Sequence, residues 1–164
     1  MRSFIRVGVA CWLVVLLSAC ASTTALEPQN QPLDARQARL HFIRQPSILS
    51  RFGNAEIMVD GKPVGTLAAG AFIVADRPPG RHTIYVVLGP HKDSGFEADI
   101  QVEPGASYYF ELGPIVRMNI DLFRLDSMGV TGRPMPGRSS DGTPFMFYAL
   151  DAAAGAASVA RLKS

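Results

Sequence analysis

Alternating apolar and polar positions dominate the chain between residues 38 and 122. The alternation is clearest at 38–42, 96–102 and 116–122, and a period of two places apolar side chains on one face of a β-strand. Further strands are predicted at 56–59, 64–67, 71–75, 81–88, 107–112 and 145–150. This many short strands with regular turns between them predicts an all-β fold, an antiparallel β-sandwich of seven to nine short strands.

Turn residues join these strands into hairpins. Asp60-Gly61 supplies the positive φ values of a tight hairpin turn, and Pro104-Gly105 fits the centre of a type II turn. Pro63 has no N–H for a strand ladder, so the second arm of the first hairpin is predicted to be an edge strand or to begin after it.

Three segments depart from the strand pattern. The stretch 126–144 holds four glycines and three prolines and predicts a long loop, either mobile or functional. The tail 151–164 is rich in alanine and predicts a short C-terminal helix capped by Asp151, although Gly155 weakens it. Residues 20–36 are mostly small or polar and predict a flexible tether. The β-sandwich domain is therefore expected to span residues 37–150.

The first 19 residues have the features of an export signal. Arg2 and Arg6 precede an apolar run at 7–17, which is too short to span a bilayer. Leu17-Ser18-Ala19-Cys20 resembles a lipobox, in which the thiol of the cysteine takes the lipid. We therefore predict a lipoprotein signal peptide at 1–19 and lipidation at Cys20. An ordinary signal, with Cys20 as an incidental thiol, is the alternative.

Removal of the signal leaves 164 − 19 = 145 residues, a length that suits one domain. The signal takes two of the 16 basic residues and none of the 14 acidic ones, so the remainder is balanced at 14 of each. Neutral charge argues against a nucleic-acid partner. Cys11 leaves with the signal, so no disulfide is expected.

By the sorting rule of the lipoprotein class that the chain resembles, Ala21 implies the outer membrane of a Gram-negative host, with the domain facing the periplasm.

Three stretches together resemble one family. They are 38–44, the run 58–83 with Val59-Asp60-Gly61 and Pro79-Gly80-Arg81-His82, and 102–110 with Gly105, Tyr108 and Tyr109. Over residues 36–113 the chain resembles the bacterial lipoprotein family "domain of unknown function 2846". The resemblance implies a small β-sandwich and no assigned catalytic residues.

Candidate chemistry is sparse. The G-x-S-x-G pentapeptide of many serine hydrolases is absent. His82, His91 and Asp93 are the candidates for a zinc site, but they lack the spacing of a ligand set, so neither a metal nor a cofactor is expected.

The carboxylates Glu97, Asp99 and Glu103 share one face of a predicted strand. They are interpreted as a solvated face that keeps the sheet soluble. An envelope hydrolase that uses this face with His82 or Tyr109 is the open alternative, because glycosidases pair two carboxylates.

A binding role is the leading hypothesis, with no catalytic residues. An exposed Tyr109 beside Arg117 or Arg81 could contact a sugar or peptide, although cross-strand packing is the favoured interpretation of this tyrosine. Arg133 and Arg138 lie in the loop 126–144, near three methionines that would suit an adaptable contact surface. These methionines are Met128, Met135 and Met146. The chain is thus interpreted as a non-enzymatic envelope module that meets an unidentified protein or peptidoglycan. A further possibility is an exposed edge strand at 64–67 that pairs with a partner strand.

Overall fold

A computed structural model describes residues 22–46, 53–89, 94–115, 132–140 and 142–163. These residues form eleven strands and one helix, most of them at or near the positions that the alternation predicts. The elements are β1 (Thr24–Ala25), β2 (Ala38–Arg44), β3 (Ala55–Val59), β4 (Lys62–Leu67), β5 (Ala71–Arg77), β6 (Gly80–Leu88), β7 (Gly95–Val102), β8 (Ser107–Pro114), β9 (Arg133–Pro134), β10 (Arg138–Ser139), β11 (Phe145–Leu150) and α1 (Ala152–Lys163).

The strands form two sheets. Sheet A has the order β1-β4-β3-β6-β7-β10, and sheet B has the order β5-β2-β8-β11-β9. Neighbouring strands are antiparallel except for β2 and β8, which pair in parallel. The predicted all-β, two-sheet fold is confirmed; eight strands have five or more residues, and three have only two. The strand predicted at 116–122 lies outside the described residues.

The core lies between the inner faces of the two sheets. Alternate residues of each long strand are buried there, as period-two patterning requires. Four phenylalanines from different strands meet at its centre. The ring of Phe147 on β11 lies 5.8 Å from that of Phe42, 6.1 Å from Phe96 and 6.4 Å from Phe110, measured between centroids.

One open edge of the sandwich is covered by residues 22–31, which we term the strap. Its strand β1 pairs with β4, Thr24 opposite Thr66 and Ala25 opposite Gly65. The Leu26 amide then donates to the carbonyl of Val64 at 2.9 Å. This part of the segment predicted as a flexible tether therefore lies against the domain, because the edge of β4 offers backbone partners that sequence patterning does not reveal.

The strap continues along the edge of sheet B. The side-chain amide of Gln29 donates to the Val74 carbonyl at 3.0 Å and accepts from the Val74 amide at 2.7 Å, so it replaces a neighbouring strand at that point of β5. Glu27 forms an ion pair with Arg77 at 2.7 Å. The interpretation of residues 64–67 as a free edge for a partner strand is wrong, since the chain's own strap occupies that edge.

Residues 132–140 cover the opposite edge of the sandwich. Strand β9 pairs with β11 in sheet B, and β10 pairs with β7 in sheet A. Between them Met135 is buried, and its amide donates to the Phe147 carbonyl at 3.0 Å. This described part of the predicted loop thus contains two short strands. Met135 and Met146 pack on the core rather than forming a contact surface, and Met128 lies outside the described residues.

Helix α1 covers part of the outer face of sheet B. Asp151 caps it as predicted, its Oδ1 accepting from the Ala154 amide at 2.8 Å. Gly155 lies directly over Tyr109: a Cβ at this glycine would be 2.1 Å from Cγ of the tyrosine. The glycine that weakened the helix prediction is therefore what lets the helix approach the sheet.

Candidate functional site

Two motifs of the resemblance meet at one hydrogen-bonded pair. Asp60 occupies the β3–β4 turn with φ of +52°, and His82 lies near the start of β6. Nδ1 of His82 is 2.7 Å from Oδ2 of Asp60, and Nε2 is 2.8 Å from the carbonyl oxygen of Pro78. Oδ1 of Asp60 accepts from the Thr83 amide at 2.9 Å. We call Asp60 and His82 the clasp.

The clasp fixes geometry and leaves little room for other chemistry. Burial acts to raise the pKa of Asp60, but hydrogen bonds from His82 and Thr83 outweigh it, so this pKa is lowered. Both ring nitrogens of the buried His82 face oxygen atoms of the protein, so neither is directed toward a substrate or metal. The sequence predicts the turn at Asp60-Gly61 but not its contact with His82. One signal could have revealed the pair: the two family motifs place an aspartate in a turn and a histidine near the start of a strand.

We expect Asp60→Asn to remove a pH-dependent part of the stability. Asn tolerates the positive φ, so the turn is kept while the charge is lost. A carboxyl with a lowered folded pKa contributes stability that is present above its unfolded pKa, near 3.8, and is lost as pH falls through the folded value. Because 44% of the Asp60 side chain is exposed, solvent screening limits the gap at pH 6 to about 1 kcal/mol.

Urea unfolding of both proteins at pH 6 and at pH 3 measures this gap, which should narrow at the lower pH. Glu103→Gln, at an exposed carboxylate, is the control and should leave the unfolding free energy nearly unchanged. A gap that is equally large at both pH values would show that the charge of Asp60 is not its cause.

The outer surface of β6, β7 and β10 carries a second cluster, which we call the charged face. Nη2 of Arg81 contacts Oδ2 of Asp99 at 2.7 Å, and the Thr83 hydroxyl donates to Oδ1 of Asp99 at 2.8 Å. Across the next strand pair, Arg138 of β10 forms an ion pair with Glu97 of β7. The face therefore alternates positive and negative groups, and each carboxylate is matched by a guanidinium.

These contacts favour the charged forms of Asp99 and Arg138. The hydrogen bond from Arg81, with help from Thr83, lowers the pKa of Asp99, and Glu97 raises the pKa of Arg138. The structure does not bring His82 to this face. Thr83 pairs with Asp99 on the outer surface, while the alternate residue His82 points to the inner side of the sheet.

A cleft of about 370 Å³ borders the charged face. It lies between β7 and the segment that leads into β10, and it is lined by Glu97, Ala98, Asp99, Pro136, Gly137 and Arg138. A Cβ on Gly137 would be 2.4 Å from both the Phe96 ring and the Glu97 carbonyl oxygen. The glycine thus allows the segment to approach the sheet and brings Arg138 beside the cleft.

The predicted binding residues do not form one site. Tyr109, a candidate binding residue, is half-buried beneath α1 and stacks on His41, with centroids 4.5 Å apart and an interplanar angle of 16°. Arg133 and Arg138 are both exposed, but they lie on β9 of sheet B and β10 of sheet A respectively. Arg117 and the predicted lipidation site Cys20 lie outside the described residues. Sequence patterning could not separate these positions, because it does not show which sheet each short strand joins.

No cluster of three or more histidine, cysteine, aspartate or glutamate residues in the described ranges could hold a metal ion. Two of the zinc candidates, His91 and Asp93, fall outside those ranges. In the part of the chain that the structure describes, no helix is both long enough and apolar enough to cross a membrane.

The fold and the clasp define a class of two-sheet β-sandwich in which an Asp–His pair joins the β3–β4 turn to the start of strand β6 in sheet A. A family model described as "Protein of unknown function (DUF2846)" matches residues 34–119, which is just over half of the chain, and the chain belongs to this family. The match contains the clasp and strands β2 to β8. No curated protein and no solved structure matches the chain.

Proposed function

We propose that the protein is a lipid-anchored domain of the bacterial cell envelope that acts without catalysis, as a binding or structural module. The observation that carries this proposal is Leu17-Ser18-Ala19-Cys20 directly after the apolar run at 7–17. The lipid on Cys20 holds the protein at the membrane. Ala21 favours the outer membrane, with the domain facing the periplasm.

The charged face is the surface that we assign to the partner. Arg81 and Arg138 are 75% and 80% exposed, and they alternate with carboxylates beside an open cleft. Such a surface suits a partner that carries both charges and polar groups, which describes an envelope protein or the peptide stems and sugars of peptidoglycan. Balanced charge does not favour nucleic acid.

The contacts of the carboxylates favour binding over hydrolysis. An acid–base pair requires one carboxyl that holds its proton near neutral pH, and Asp99, whose pKa is lowered by its arginine partner, does not suit that role. The histidine and the tyrosine of the hydrolase alternative also lie away from the charged face. His82 is held in the clasp, and Tyr109 belongs to sheet B, where it stacks on His41.

The anchor is tested by Cys20→Ser. We expect this variant to accumulate as an unlipidated precursor that retains residues 1–19, because only the thiol can take the lipid. Intact mass and membrane fractionation measure the outcome, and Cys11→Ser, inside the signal, should be processed normally. A Cys20→Ser protein of mature mass in the usual fraction would contradict the anchor.

Photocrosslinking in intact cells tests the charged face as the binding surface. A photoreactive residue in place of Arg138 should give one defined crosslinked product, whereas the same residue in place of the exposed Ala153 on α1 should not. The double variant Glu97→Ala and Asp99→Ala distinguishes the binding module from the hydrolase alternative. Loss of an envelope phenotype with an intact fold and intact crosslinking would favour the hydrolase.

A further inference from the structure

The strap is fastened to the domain almost as soon as the predicted anchor ends. The carbonyl of Ser22 accepts from the side chain of Asn54 at 3.4 Å, and the hydroxyl of Thr23 accepts from the Ala68 amide at 3.0 Å. Extended chain covers about 3.5 Å per residue, so the Cα atoms of Cys20 and Ser22 lie within about 7 Å of each other. A lipid on Cys20 would therefore hold this edge of the sandwich close to the membrane surface.

The strap also presents an apolar side chain to solvent. Leu26 is 62% exposed, and it is the most exposed large hydrophobic residue in the described ranges. A single exposed leucine is ordinary on a protein surface, but this one lies six residues after Cys20 on a backbone that is fixed to β4. Leu26 is thus held at the edge of the sandwich that lies nearest to the predicted lipid anchor.

Two carboxylates of the strap and of the β5 edge that it follows are paired with arginines of the protein. Glu27 pairs with Arg77, and Asp76 is held by both Nε and Nη2 of Arg39 at 2.7 Å. These carboxylates therefore add little repulsion toward an anionic lipid surface.

We propose that the strap edge of the sandwich faces the lipid surface and that Leu26 enters the interfacial region of the bilayer. This inference rests on the proposed lipid anchor at Cys20. It also orients the proposed binding face. Strands β1 and β10 lie at opposite edges of sheet A, five strand spacings apart, which is about 24 Å at about 4.8 Å per spacing. The charged face, on the outer surface of β6, β7 and β10, therefore lies toward the edge of sheet A that is far from the strap, where a periplasmic partner can reach it.

Tryptophan fluorescence tests this orientation. The single tryptophan of the chain, Trp12, lies in the predicted signal, so the mature lipoprotein contains none. Leu26→Trp is purified as the lipidated protein and incorporated into phosphatidylcholine vesicles with or without brominated acyl chains. We expect a blue-shifted emission that the brominated lipid quenches. Ala153→Trp, at an exposed position of α1, is the matched control and should keep its emission in both vesicles.

A second variant excludes the case in which a detached strap simply lies in the membrane. Thr24 and Thr66 are opposite each other, so Thr24→Cys with Thr66→Cys can form a disulfide that locks the strap to β4. Quenching of Leu26→Trp should persist in the oxidised protein. Quenching that disappears on oxidation, or that is equal at Ala153→Trp, would overturn the inference.

The two proposals fail in different ways. A protein that carries the lipid mass and floats with the vesicles, but whose Leu26→Trp emission is not quenched, overturns the orientation and leaves the anchor intact. A protein without the lipid mass that does not float overturns the anchor, and the orientation falls with it.

Discussion

Phe147→Ala is expected to lower the free energy of unfolding by about 3–5 kcal/mol, the range for removal of a large aromatic side chain from a packed core. Phe147 is fully buried and lies at the centre of the phenylalanine cluster. Its ring contacts residues from both sheets, so the cavity left by alanine cannot be filled by a small movement of one strand. The residue lies outside the segment 34–119 that matches the family.

Urea unfolding at neutral pH measures this loss, and Leu26→Ala is the control. Both changes remove a large apolar side chain, but Leu26 is exposed, so its replacement should change the unfolding free energy by no more than about 0.5 kcal/mol. A Phe147→Ala variant as stable as this control would mean that β11 does not belong to the core. The expected loss would instead show that the chain after residue 119 completes the fold.

The long strands could be predicted because each one carries its own signal. In β7, residues Phe96, Ala98 and Ile100 alternate with polar ones, and the structure buries these three side chains. The turn at Asp60-Gly61 was predictable for the same reason, since a positive φ favours these residue types at that position. Both inferences depend on neighbours in the sequence.

The coverings of the two edges could not be predicted in this way. Gln29 belongs to no alternating pattern of apolar residues. Its role depends on the Val74 amide and carbonyl, which become available only after β5 has paired with β2. The strands β9 and β10 contain two residues each, too few to show a period. Their positions depend on tertiary contacts, such as the burial of Met135 in the core.

The candidate site shows the same division. The carboxylates of β7 were placed on one face by alternation alone, and the structure agrees for Glu97 and Asp99. Their partners were not predictable, because Arg81 and Arg138 come from other strands, 18 and 41 residues away in the sequence. The difference between an exposed acidic face and a set of ion pairs therefore depends on strand order.

Gly65→Ala is expected to lower the free energy of unfolding by about 2–4 kcal/mol, because backbone strain adds to a steric clash. Gly65 has φ of +154°, and a Cβ there would be 2.3 Å from the carbonyl oxygen of Thr24 and 3.0 Å from Cα of Ala25. Both contacts are backbone atoms of the strap, so no side-chain rotation relieves them. We expect the strap to move off β4 while the core strands stay paired.

Gly80→Ala separates the clash from the strain. Gly80 has a similar φ of +135° with no atom within 4 Å of an added Cβ, so its replacement should cost only about 1–2 kcal/mol. Hydrogen exchange locates the difference. Three amides donate the hydrogen bonds that join the strap to the domain, those of Leu26, Ala68 and Val74. In Gly65→Ala these amides should exchange faster, while the amides of β6 and β7 should not. Equal losses in the two variants, with no faster exchange at these three amides, would mean that the strap is not held at Gly65. Faster exchange confined to them would show that the strap is an integral edge of sheet A, held there because residue 65 has no side chain.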